Sequence, residues 1–204
     1  MRTKLYYDKH PEDWELRRLL TGINLQSTWG KRTFLMILFI CHTGLRIGEL
    51  TRLTVADVVW GGEPREEVFL SHRITKGKKS RVVPLNEVAK ECVRKLLEFN
   101  EKRGFSTEPQ APLFPWKTHG FLPPREVERE IQRLREKVGL SPKITPHAFR
   151  HFFANRLRKA GVDPFTIAVI LGHASVDTTQ GYTNTSSVDK RAAVCSFLPG
   201  KGVA

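Results

Sequence analysis

Residues 34–41, FLMILFIC, are eight apolar side chains in a row within the segment STWGKRTFLMILFICHTG at 27–44. A helix that is apolar on every side belongs in an interior. A run of eight residues is also far too short to cross a bilayer core of roughly 30 Å. The segment therefore reads as a buried helix. Gly44 ends it at the C-cap position, where a left-handed turn carries little steric cost only for a residue without Cβ. With 204 residues, 40% hydrophobic and 27% charged, the chain suits one globular domain with a sizeable core.

On either side of this helix the hydrophobic period changes. PEDWELRRLL (11–20) reads as a short helix, and IGELTRLTV (47–55) as another. DVVWGGEPREEVFLSHRITKGKKSRVVPL (57–85) then breaks into three β-rich runs separated by Gly, Pro and charge, which reads as a small antiparallel sheet. Helical period returns at 86–104, a loop follows at 105–120, and helices are expected at 123–140, 145–162 and 163–173. Thr145 and Asp163 stand as N-caps, each with a proline at the first helical position. A short helix carrying Tyr182 is expected next, then an amphipathic helix over 186–198. The fold class is mostly α with a small antiparallel β-sheet, an α+β chain.

Lys and Arg number 34 against 21 Asp and Glu, a net charge of +13. Such a balance favours a polyanionic partner, because Lys and Arg that neutralise phosphates release counterions. Arg125, Arg129 and Arg133 recur at i, i+4 and i+8, opposite the stripe Val127, Ile131, Leu134 and Val138. They form either a solvated face or a DNA-facing stripe. Cys41, Cys92 and Cys195 are isolated, which argues against a disulfide framework and for a reducing, cytoplasmic setting. The start MRTKLYYDKH has no apolar core and is not a signal peptide.

Several chemistries are unsupported. His147 and His151 are four apart, as in zinc sites of the HExxH form, but Ala-Phe-Arg lies between them and no glutamate base is present. There is no GxSxG and no GxxxxGK[ST], so neither a serine hydrolase nor an ATP-binding loop is indicated. No metal and no cofactor are expected.

The cations point elsewhere. HTGLRIGEL places Arg46 at a Gly turn opening a helix, TKGKKSRVVPL places Lys76 at a hairpin tip, and TPHAFRH holds His147 and Arg150 within one turn. LGH supplies His173, and Tyr182 follows nine positions later in TTQGYT. Arginine pairs bind non-bridging phosphate oxygens and neutralise developing charge. Histidine and lysine transfer protons. A tyrosine of pKa about 10 needs such surroundings to attack phosphorus at neutral pH.

In their order and spacing, these five motifs resemble the tyrosine recombinase (phage integrase) family, over Pro11 to Phe197. The resemblance implies a fold like that of type IB topoisomerases and a metal-independent, site-specific recombinase. Tyr182 would attack a phosphodiester, giving a 3′-phosphotyrosyl link and a free 5′-hydroxyl. Arg46 and Arg150 would clamp the scissile phosphate, and Lys76 would be the general acid, with Lys78 or Lys79 as substitutes or as DNA contacts. His147 would exchange a proton with the tyrosine, His173 would bond the phosphate, Glu49 would support the site, and His151 would pack or bond behind it.

The family's N-terminal core-binding domain is expected to be absent. Residues 1–10 form a tail, 11–185 a catalytic domain, 186–198 a helix exchanged between protomers or docked within its own chain, and 199–204 a second tail. Val188, Ala192 and Cys195 or Phe197 would supply that helix's apolar face. Expected partners are double-stranded DNA, further copies of the chain in a tetrameric synapse, accessory DNA-bending factors and no membrane, at the nucleoid. A DNA-bound accessory or regulatory protein on the same scaffold is the alternative.

Overall fold

The computed structural model describes residues 10–27, 29–72, 74–75, 80–117, 120–172 and 187–196. Lys76, Lys78, Lys79, His173, Tyr182 and Phe197 lie outside these described residues.

The apolar run forms the middle of α2 (Gly30–Thr43), in which every residue from Leu35 to Thr43 is buried. It packs chiefly against α5 (Glu87–Lys102) and α7 (Pro146–Lys159). Gly44 ends it in the left-handed region at φ 63°, with its N–H bonded to the Ile40 carbonyl. A Cβ there would stand 2.4 Å from Phe153 Cδ1 and 2.8 Å from Leu171 Cδ2. Glycine is thus required twice, by conformation and by the close approach of α7 and α8 (Pro164–Leu171).

Before α2 comes α1 (Asp13–Thr21), and after it α3 (Ile47–Leu50) and α4 (Val55–Val58). The helix expected over 47–55 ends at Leu50, and a second one, α4, begins at Val55 and runs into the stretch read as β-rich. Thr54 starts the second one, its N–H and hydroxyl both bonded to Asp57 Oδ2 at 2.8 and 2.9 Å, a local cap that competes with continuing α3.

Among the described residues the β-rich segment forms the expected small antiparallel β structure, arranged as two hairpins. β1 (Val59–Trp60) pairs with β2 (Glu63–Pro64), and β3 (Glu67–Leu70) pairs with β4 (Arg81–Pro84), setting Leu70 opposite Arg81. Beyond Pro64 the Arg65 N–H still reaches the Val58 carbonyl at 2.8 Å, and the ladder stops where its partner strand gives way to α4. A third hairpin, β5 (Pro115–Trp116) with β6 (Gly120–Phe121), lies within a stretch read as a loop from sequence. Two-residue strands are too short to show an alternating pattern.

α6 (Pro124–Lys137) buries Val127, Ile131 and Leu134 and leaves Arg125, Arg129 and Arg133 exposed. α7 and α8 begin at the expected caps: Thr145 Oγ1 accepts from the Ala148 N–H, and Asp163 Oδ1 from the Phe165 and Thr166 N–H groups. The last described helix, α9 (Ser187–Cys195), packs on β4 and α8 of its own chain through buried Ala193 and Val194. Val188, Ala192 and Cys195, the apolar face expected from the sequence, are exposed on the opposite side. An exposed ion pair between Arg191 and Glu66 links the helix to the residue before β3. No helix among the described residues is long and apolar enough to cross a membrane.

Candidate active site

The site is built where α2, α7 and α8 meet. The Gly44 turn leads directly into Arg46, the extended N-cap residue of α3. Glu49, three residues on, accepts the Arg46 backbone N–H at 2.8 Å through Oε2 and the Arg46 Nη1 at 3.1 Å through Oε1. Glu49 is buried, at 1% exposure.

A third partner comes from across the fold. Arg81, the first residue of β4, donates Nη1 to Glu49 Oε1 at 2.8 Å and Nη2 to Oε2 at 2.6 Å. This is the bidentate fork that guanidinium and carboxylate geometry favour. Burial opposes ionisation of Glu49, but the hydrogen bonds and charge of Arg81, with those of Arg46, outweigh it and hold the carboxyl below its ordinary pKa.

All three arginines also converge on the C-terminus of α8. Arg81 Nε donates to the Ile170 carbonyl at 3.1 Å, Arg150 Nη2 to Leu171 at 2.6 Å and Arg46 Nη2 to Gly172 at 3.3 Å. These carbonyls have no partner within their own helix, and they form the negative end of its dipole, so cations belong there. Arg150 Nη1 spans to the Gly44 carbonyl at 2.6 Å, tying α7 to the end of α2. Burial foremost, and then the charges of Arg46 and Arg81, lower the Arg150 pKa to about 9, with Glu49 opposing. The group remains cationic at neutral pH.

Above this floor lies a cleft of about 490 Å³, lined by Arg46, Glu49, Arg52, Thr75, His147 and Arg150 among others. His147 is exposed on the first turn of α7, and its ring meets that of His151 edge-on, with centroids 4.4 Å apart. Thr75 on the cleft wall is the neighbour of Lys76, and Gly172 that of His173. Among the described residues the structure thus brings Arg46, Glu49, His147, His151 and Arg150 together. Arg125, Arg129 and Arg133 stand apart on α6, where Arg129 pairs with Glu126 at 2.8 Å and Arg133 with Glu130 at 3.9 Å.

Two cations escaped the reading of the sequence. Arg52 lines the cleft one turn beyond Glu49. Arg81 sits in RVVPL, where an arginine opening a strand looks like a solvated residue. The one hint was Glu49, a carboxylate among cations that needed a partner. No group of three or more His, Cys, Asp or Glu among the described residues is placed to hold a metal.

The arrangement can hold one anionic group between guanidiniums, beside an imidazole. Comparison with known proteins agrees. The model of the Phage integrase family matches residues 12–188. A tyrosine recombinase XerC of Rhizobium meliloti (strain 1021) is 41% identical over 157 residues, 75% of this chain and 45% of the relative. XerC of Chlamydia trachomatis serovar L2 is 33% identical over 168 residues, 82% and 51% of the two chains. The chain thus spans about half the length of these curated relatives. Among solved structures, XerA recombinase superposes with a TM-score of 0.64 at 27% identity, over 94% of this chain and 66% of that one. The Tn1549 transposon integrase in complex with circular intermediate DNA shares the fold, with a TM-score of 0.69 at 23% identity over 90% and 65%.

Proposed function

Because the chain belongs to the phage integrase family, we propose that it breaks and rejoins double-stranded DNA at specific sites through a tyrosine nucleophile. The observation that carries this reading is the pair Arg46 and Arg150. Both are fixed by backbone carbonyls on the floor of one cleft, with His147 at its rim. Arg150 spends two of its five N–H donors on carbonyls, which leaves others for a phosphate.

In this reading the Tyr182 oxygen attacks phosphorus, and the bond from phosphorus to the 5′-oxygen breaks. The tyrosine proton passes to His147, and Lys76 gives a proton to the leaving 5′-oxygen. The products are a 3′-phosphotyrosyl ester and a free 5′-hydroxyl. Arg46 and Arg150 neutralise the charge that builds on the non-bridging oxygens, and His173 adds a hydrogen bond. The ester retains the energy of the broken bond, so a second 5′-hydroxyl can reverse the step. No metal or nucleotide enters this balance. Lys78, Lys79, Arg125, Arg129 and Arg133 contact the DNA backbone. Copies of the chain act together in a tetrameric synapse at the nucleoid, helped by DNA-bending factors.

A nicked suicide duplex carrying the candidate site tests this. Wild type is expected to give a covalent protein–DNA adduct on a denaturing gel, and Tyr182→Phe none. Salt-sensitive binding without any adduct would favour the regulatory alternative instead.

A further inference from the structure

We propose that Arg81 is a positioning residue of the active site: it fixes the guanidinium of Arg46 by holding Glu49 and the C-terminus of α8 in one frame. The proposal rests on the catalytic reading of Arg46 given above.

Four observations carry it. First, Arg81 is the only one of the three arginines that grips Glu49 with both terminal nitrogens, at 2.8 and 2.6 Å; Arg46 holds it with a single side-chain bond of 3.1 Å. Second, its Nε reaches the Ile170 carbonyl, so one rigid fork joins α3 to α8. Third, Gly172 is shaped around it: a Cβ there would lie 2.8 Å from Arg81 Cδ and 3.2 Å from Nε, and its φ is 67°. The Gly172 carbonyl in turn holds Arg46. Fourth, the Arg81 side chain is 9% exposed against 29% for Arg46. Arg46 can meet a phosphate in the cleft while Arg81 stays behind it.

The consequence is electrostatic. With Arg81 present, the Glu49 charge is satisfied by a group that does not touch substrate. Without it, Glu49 would be a buried carboxylate whose remaining side-chain partner is Arg46. It would draw Arg46 into a bidentate pair and away from the phosphate. Arg81 also opens β4 at the base of the β3–β4 hairpin, five positions after Lys76 in sequence, with Leu70 as its cross-strand partner. The same fork therefore anchors the base of that hairpin.

The test compares the full chain with Arg81→Met, Arg81→Lys, Glu49→Gln and the double variant R81M/E49Q. On saturating nicked suicide DNA, Arg81→Met is expected to slow adduct formation about 100-fold, as a displacement near 1 Å does. DNA affinity should stay within about threefold and its salt slope should not change, because a lost phosphate contact would lower that slope by about one. Arg81→Lys keeps the charge but not the fork, and should recover part of the rate. Glu49→Gln in the Arg81→Met background should recover part as well, by removing the charge that captures Arg46.

A second readout needs no activity: the Arg46 Nε–H resonance should shift in Arg81→Met and return in the double variant. An unmoved resonance, an unchanged rate, or a rate that falls in step with affinity would each overturn the proposal. If wild type forms no adduct, the catalytic reading fails, and the Arg46 resonance still decides the role of Arg81.

Discussion

Near the end of α2, His42 is buried against Asn86, whose Nδ2 lies 3.0 Å from its Nδ1. Burial above all, then the charge of Arg156, lowers its pKa to about 4, against the opposing Asn86 bond. Its folded pKa therefore lies below the unfolded value near 6.5. The stability it contributes is complete above pH 6.5 and is lost as pH falls toward 4. Between pH 7 and 4.5 this amounts to roughly 2–3 kcal/mol. Urea unfolding should show that loss in wild type beyond whatever His42→Gln loses over the same interval. Equal losses in both would contradict it. Residues at this scale were legible in sequence where their chemistry is local. Arg46, Glu49, His147 and Arg150 each sit beside a turn or cap that can be read off a few neighbours. Arg81 does not: its partner Glu49 is 32 positions away and its partner Ile170 is 89 away. Only the tertiary fold gives a strand arginine a buried carboxylate.

The turn between α2 and α3 carries the site, and its glycines separate two effects. Gly44→Ala must accept a positive φ and a clash with Phe153 at 2.4 Å, and is expected to cost about 3 kcal/mol. Gly48→Ala, inside α3 with nothing within 4 Å of the new Cβ, should be neutral or stabilise by up to about 1 kcal/mol. Equal melting shifts for the two would refute this account of the turn. α9 behaves similarly. Val194 is fully buried and Val188 is 71% exposed. Val194→Asp should lower stability by about 3 kcal/mol, and Val188→Asp should change it by no more than about 0.5 kcal/mol. The reverse order would mean that α9 docks through its other stripe. Period alone could not choose here, because the segment carries apolar residues on both stripes. The same limit applies to the hairpins. Gly61 and Gly62, with φ of 59° and 85°, suit a two-residue hairpin turn of the primed type. A pair of glycines does not say that β1 and β2 stay apart from β3 and β4.

Across the whole molecule the dominant quantity is charge. If the chain binds DNA as proposed, a net +13 makes that affinity fall steeply with salt. The face of α6 tests where that charge is used. If Arg125, Arg129 and Arg133 contact phosphates, the triple change to Gln should reduce the log–log salt slope by about one per arginine. An unchanged slope would mark α6 as a solvated face, consistent with its own pairs to Glu126 and Glu130. The overall architecture was readable because helix caps, a buried central helix and a break to β-period are each local signals. The floor of the site was not, since it consists of three arginines from α3, β4 and α7 meeting one helix end.

The proposed chemistry depends on which residue forms the covalent bond to DNA. The chain has three tyrosines, Tyr6, Tyr7 and Tyr182, so mapping the adduct is unambiguous. Wild type trapped on nicked suicide DNA would be digested with protease and nuclease, and the nucleotide-bearing peptide sequenced by mass spectrometry. The account predicts one modified peptide, with the phosphate on Tyr182. A phosphate on Tyr6, Tyr7 or any serine, or an adduct that persists in Tyr182→Phe, would contradict it.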